Sequence, residues 1–165
     1  MIDGSTIEEM KEAALQKVVK ERVTEIACDL VNIPSPTGYE KECADYIIGI
    51  YDELGLKVIP QEFDEERANA IGVLKGNGTG PTLMLNGHLD TSYVGDERYL
   101  PDKPGYKPKA IIDDDWIYGL GVYNMKGGLA AFIHAVEAIK ASGIELNGDL
   151  VVACVAGEIE KSQVD

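Results

Sequence analysis

The sequence has 165 residues, 45% of them hydrophobic, which is enough apolar material for one buried core and sets an expectation of one domain. A formal net charge of -14 and a sequence pI near 4.5 argue against nucleic acid or an anionic membrane surface as a partner. The N-terminal MIDGSTIEEMKEAAL lacks the apolar centre of a signal peptide, and no stretch approaches the roughly 20 apolar residues of a membrane span. A soluble, cytoplasmic chain is therefore expected. Cys28, Cys43 and Cys154 form no C-x-x-C pair and fall within predicted helices or strands, so they read as buried, reduced thiols.

In chain order, Ser5 or Thr6 can cap one long helix whose apolar positions Met10, Ala14, Val18, Val23, Ile26, Ala27, Leu30 and Val31 recur at helical spacing until Pro34 and Pro36 end it. The segment IPSPTGYE offers Thr37 as the cap of a second helix, with Glu40 three residues on as in a capping box. Ala44, Ile47, Ile48, Tyr51 and Leu54 would line its inner face, and Gly55 would close it. Residues 56–63 and 69–76 read as two short strands. Helices followed by strands in this order argue for an α/β domain.

Residues 82–90, TLMLNGHLD, form the centre of the reading. Leu83, Met84 and Leu85 have the continuous apolar pattern of a strand buried on both faces, and His88 and Asp90 leave it at its carboxyl end. Ligands in open α/β sheets gather beyond the carboxyl ends of strands. A His-x-Asp pair there suits a metal, one ring nitrogen binding it while the carboxylate fixes the ring. A polar loop at a strand end is the competing reading.

A long loop, residues 91–109, comes next, and loops of that length in compact domains are usually functional or disordered. Its charges, Asp96, Glu97 and Asp102, with Asp113 to Asp115 beyond, read as a solvated face. The three consecutive Asp would turn a hairpin between KAII and WIYG. GLGVYNMKGG, residues 119–128, then opens a helix with an apolar stripe of Leu129, Phe132, Ile133, Val136 and Ile139 that Gly143 ends. A phosphate loop is a weak match, because Lys126 precedes the glycines and no Ser or Thr follows it. A last apolar strand, residues 150–156, again carries polar residues at its carboxyl end, Glu158 and Glu160.

In this order and spacing, LMLNGHLDTS, NMKGGLAAF and VVACVAGEIE resemble the zinc amidohydrolase family of acetylornithine deacetylase, succinyl-diaminopimelate desuccinylase, aminoacylase and related peptidases. The resemblance runs from IPSPTGYE to the end of the chain. It implies a three-layer α/β/α zinc-peptidase-like catalytic domain with a mixed, mostly parallel sheet. Residues 1–165 would be its N-terminal part, truncated, with the remaining catalytic half and a lid or dimerisation domain absent.

The resemblance also implies two zinc ions, or cobalt in their place, beyond the strand ends. His88 would be a metal ligand and Asp90 would hold its ring. Asn124 falls where the family has the carboxylate that bridges the metals, Glu158 where it has the general base, and Ile159 on the next carboxylate ligand. The implied reaction is hydrolysis of the amide bond of small N-acyl amino acids or short peptides, by an enzyme that is often a homodimer through the missing domain.

Two positions depart from that pattern. Asn124 is neutral, whereas a ligand bridging two cations needs two anionic oxygens, and Ile159 offers no donor. Glu160 stands as a substitute ligand, because alternate residues of a strand share a face and Glu158 would be on it. The other histidine, His134, lies between Ile133 and Ala135 in a helix and reads as structural or surface. Three readings follow: a fragment of a zinc-dependent amidohydrolase, a catalytically silent relative kept as a binding or subunit-interaction module, and, with least support, a nucleotide-binding domain.

Overall fold

The structure is a computed structural model and describes residues 6–159. It opens with α1 (Ile7–Leu15), capped by Thr6 and Glu9 in a reciprocal capping box. The expected single long helix is two, because the chain turns after Leu15 and resumes as α2 (Lys20–Asn32). The Val19 N–H, which a continuous helix would direct at its own carbonyls, donates instead to Nε2 of His134 at 2.8 Å. Here α1 buries no residue, whereas Ile26, Ala27, Leu30 and Val31 of α2 enter the core.

The next helix, α3 (Lys41–Glu53), starts later than the capping box predicted, and Glu40 at its N-cap makes no capping bond. Glu40 is fully buried and takes two bonds from the Arg67 guanidinium, 3.0 and 3.2 Å, while Thr37 turns toward Asp90. A buried carboxylate needs its charge matched, and the bidentate guanidinium does that better than a backbone N–H.

The strands are β1 (Lys57–Glu62), β2 (Ala68–Leu74) and β3 (Leu83–His88), then the hairpin β4 (Ile111–Asp113) and β5 (Trp116–Tyr118). A π-type turn (Val122–Lys126) leads into α4 (Gly127–Ser142), closed by Gly143 in the left-handed region at φ 74°, and β6 (Leu150–Val155) follows. The hairpin turns through Asp114, at φ 53°, and Asp115 as its three acidic residues predicted, with Asp115 paired in solvent to Lys20 at 2.7 Å.

The main sheet runs β1-β2-β6-β3. It is mixed, as expected, but of the pairings among the described residues only β3 with β6 is parallel, and β1 with β2 and β2 with β6 are antiparallel. The register places Ala70, Gly72, Val152, Cys154, Leu85 and Gly87 on one face. Both packing helices meet that face. A Cβ on Gly72 would lie 2.6 Å from the Tyr51 ring of α3, and one on Gly87 would lie 2.7 Å from Leu129 of α4. The core is built there, around Ile26, Leu30, Ile47, Tyr51, Leu129 and Ile133.

The opposite face carries Ile59, Ile71, Val73, Met84, Val151 and Val155, and among the described residues no helix covers it. β3 is moreover an edge strand, and Leu83 and Met84 are 60% and 58% exposed. Its apolar run therefore is not buried on both faces, as the pattern alone suggested. All three cysteines are free, Cys43 and Cys154 buried and Cys28 half-buried. Burial pushes the Cys154 thiol up to about 12, which keeps it protonated and inert. No helix among the described residues is long and apolar enough to cross a membrane.

Candidate active site

The parallel pairing of β3 with β6 puts the ends of the two strands side by side, with His88 beside Val155 in the register. His88 ends β3, Asp90 lies two residues beyond it, and Gly157 (φ 75°) turns the chain after β6 so that Glu158 and Ile159 come back over Asp90. Asp90 is 1% exposed and holds the join together. Its Oδ1 accepts the Glu158 N–H at 3.2 Å, and its Oδ2 accepts the Ile159 N–H at 2.9 Å and the Thr37 hydroxyl at 2.8 Å.

The His88 ring lies between oxygens. Nδ1 is 3.1 Å from the Asp90 carbonyl and 3.4 Å from its carboxylate, whereas Nε2 faces Asn124 Oδ1 at 3.0 Å and Glu158 Oε2 at 3.7 Å. An Nδ1–H directed at Asp90 leaves the Nε2 lone pair pointing at two further oxygens, an arrangement that a cation at Nε2 would satisfy. The expected residues His88, Asp90, Asn124 and Glu158 thus do come together. Ile159 contributes its backbone N–H, and its side chain offers no donor; Glu160 lies outside the described residues.

The fit to a metal is partial. One imidazole, one amide oxygen and one carboxylate surround the point, and among the described residues no three His, Cys, Asp or Glu side chains converge as metal ligands. A catalytic zinc typically takes three protein ligands of the imidazole or anionic kind.

Three supports were not legible as site residues. Ser35 donates from its hydroxyl to the Leu89 carbonyl at 2.8 Å, and the segment around Pro36 runs beside Thr91, so the strap that was read as a helix cap instead delivers Thr37 to Asp90. Lys126 is 1% exposed and its ammonium donates to the carbonyls of Leu30 and Ile33 at 2.7 and 2.6 Å. It closes the C-terminal end of α2 and anchors the turn that carries Asn124, which leaves it no role as a phosphate ligand. Burial holds this ammonium below the usual lysine range. The third support is Gly121, at φ 81°, where a Cβ would lie 2.6 Å from the Thr91 methyl. A side chain there would force the turn away from β3.

His134 is structural, as expected: it is 5% exposed, Nδ1 meets Glu137 at 2.7 Å, and Nε2 accepts from Val19.

Residues 84–160 match Peptidase family M20/M25/M40. The N-formyl-4-amino-5-aminomethyl-2-methylpyrimidine deformylase of Halalkalibacterium halodurans is 33% identical over 144 residues, covering 84% of this chain and 33% of that protein. A probable succinyl-diaminopimelate desuccinylase of Staphylococcus aureus is 30% identical over 145 residues, 87% of this chain and 34% of its own. Among solved structures, a tripeptidase from Staphylococcus aureus superposes with a TM-score of 0.70 at 25% identity, over 87% of this chain and 38% of that one. The chain spans about a third of the length of the curated relatives it matches. Motifs, fold and matches agree: residues 84–160 match Peptidase family M20/M25/M40, in the N-terminal part of its domain.

Proposed function

We propose that this chain forms one wall of a metal-dependent site that hydrolyses the amide bond of small N-acyl amino acids or short peptides. The observation that carries this reading is the convergence of His88 Nε2, Asn124 Oδ1 and the Glu158 carboxylate at the carboxyl ends of two parallel strands. His88 would hold the metal through Nε2, oriented by Asp90, with Asn124 as a neutral oxygen donor beside it. A bound zinc or cobalt ion would supply an acidified water and polarise the scissile carbonyl. Glu158, 62% exposed at the mouth and held by its own N–H on Asp90, would take the proton and return it to the leaving amine. The remaining ligands and the cover for the open sheet face would come from a further part of the same catalytic unit, and a homodimer would form through that part.

A second reading has its own observation. Asn124 and Ile159 leave the site one histidine and one exposed carboxylate, which suits a catalytically silent relative retained as an interaction module.

Cobalt titration followed by visible absorption, together with hydrolysis assays, separates the two readings. Fused to the remainder of the Halalkalibacterium halodurans deformylase, of which it covers 33%, the chain should bind cobalt through His88 and cleave an N-acyl substrate. Binding indifferent to His88→Ala would defeat the metal assignment. Binding without cleavage that Asn124→Asp with Ile159→Glu restores would establish the silent reading.

A further inference from the structure

Beside the His88 and Asn124 pair opens a cavity of about 540 Å³, within the range of roughly 300–1,000 Å³ typical of small-ligand sites. Tyr93 and Tyr106 of the long loop, Trp116 and Tyr118 of the hairpin, and Ile159 form its walls, and Asn124 lines it as well. Tyr99 packs edge-on against Tyr93, centroids 6.4 Å apart, and the Lys20 to Asp115 ion pair ties the hairpin to α2. Among the described residues, none of the side chains that line the cavity is charged.

We propose that this cavity selects the substrate, receiving a neutral aromatic or bulky apolar group attached to the scissile amide and refusing a carboxylate such as a succinyl terminus. The proposal rests on the amide-hydrolysing reading of the site. Asn124 lines the cavity and also lies 3.0 Å from His88 Nε2, so a group filling it is adjacent to the reacting carbonyl. Aromatic walls reward a flat apolar guest through ring contacts and removal of its surface from water. A carboxylate placed there would leave water with no cation among the described lining residues to meet it, and the net charge of -14 would add repulsion. At Ile159 an apolar wall stands where the resemblance places a carboxylate ligand, so the same residue that impoverishes the metal site completes the pocket.

Trp116 is the only tryptophan in the sequence and is 68% exposed, so its fluorescence reports occupancy of the cavity without metal or turnover. The test titrates the chain with N-acetylphenylalanine amide, N-acetylglycine amide and N-succinylglycine amide. The phenylalanine amide is expected to change Trp116 emission saturably and to bind at least about tenfold more tightly than either glycine probe, as burial of one large apolar side chain requires. Ile159→Asp, which sets a carboxylate in the wall, and Tyr118→Ala should each weaken it by about tenfold with the circular dichroism spectrum unchanged.

Equal binding of the three probes, tighter binding of the succinyl probe, or indifference to both substitutions would overturn the proposal. So would Trp116 emission that depends on protein concentration without ligand, because the cavity would then be a contact between copies of the chain. Aromatic binding in a fused protein that cleaves no amide sinks the hydrolase reading and leaves the pocket standing; cleavage without aromatic preference does the reverse.

Discussion

The Thr37 hydroxyl donates to Asp90 Oδ2 at 2.8 Å, which joins the strap between α2 and α3 to the carboxylate beneath the site. Asp90 accepts the Glu158 and Ile159 N–H groups as well, so one buried side chain fixes three segments. Hydrogen bonds to a charged group contribute about 1.5–3 kcal/mol, and Thr37→Val should cost about that much in urea denaturation. Asp90→Asn should cost more, because it turns one acceptor into a donor that faces N–H groups. A Thr37→Val variant as stable as the parent would show that this bond is idle.

Lys126 anchors the other side. Lys126→Met leaves the buried Leu30 carbonyl and the half-buried Ile33 carbonyl without their donor, at about 1–3 kcal/mol for the buried group and less for the other. A pH signature separates the charge from the packing. Burial lowers the Lys126 pKa in the folded state, so between that value and the usual 10.5 the unfolded chain binds more protons and stability contributed by this group rises with pH. The parent should therefore gain stability relative to Lys126→Met as pH rises toward 10.5. A constant difference across that range would mean that the ammonium is not desolvated.

These two supports mark where the sequence stopped being legible. Helical spacing revealed α2 and α4, and the His-x-Asp strand end, the Asn124 turn and the Glu158 strand end were found as motifs because their chemistry shows in residue type and order. Thr37 and Glu40 carried a valid capping signal, but a buried Arg67 and a buried Asp90 outbid a local backbone bond, and such tertiary partners have no signature at short range. The break at Val19 depended likewise on His134, far along the chain. The apolar run of β3 could not disclose that only one of its sides is paired among the described residues, since a buried strand and an uncovered edge strand share one pattern.

Acid should loosen the α2 to α4 contact. Burial raises the Glu137 pKa, but bonds from Arg22 and His134 outweigh it and hold the carboxyl below its usual 4.5. Below pH 4.5 the unfolded state binds more protons at this group, so its stabilisation is present above that pH and is lost as pH falls through the lower folded value. In thermal melts from pH 6 to pH 3, Glu137→Gln should show a shallower decline in Tm than the parent. Parallel curves would assign acid sensitivity to other carboxylates.

The uncovered sheet face predicts self-association. Ile59 and Met84 are 42% and 58% exposed on it, beside half-buried Ile71, Val151 and Val155, a contiguous apolar surface of the kind that marks a contact site. Sedimentation of the isolated chain should depend on concentration, and Ile59→Lys with Met84→Lys should shift it toward monomer. A monomer at every concentration would show that the face tolerates water.

The metal site should be limited by Asn124 and Ile159. His88 is the only imidazole at the convergence point, Asn124 contributes a neutral oxygen, and Glu158 is 3.7 Å from Nε2 with most of its side chain in solvent. The isolated chain is therefore expected to bind zinc weakly and to leave N-acyl amino acids intact. Asn124→Asp with Ile159→Glu adds two anionic ligands, and each opposite charge in a partly buried site strengthens the attraction to a dication. Calorimetric titration should show zinc affinity at least about tenfold higher in the double variant. Asp115→Ala, in the solvated hairpin turn, should leave the affinity unchanged. Stoichiometric, tight zinc binding by the unmodified chain, lost on Asn124→Ala, would instead show that the amide oxygen is a sufficient ligand and that the site is complete without a second carboxylate.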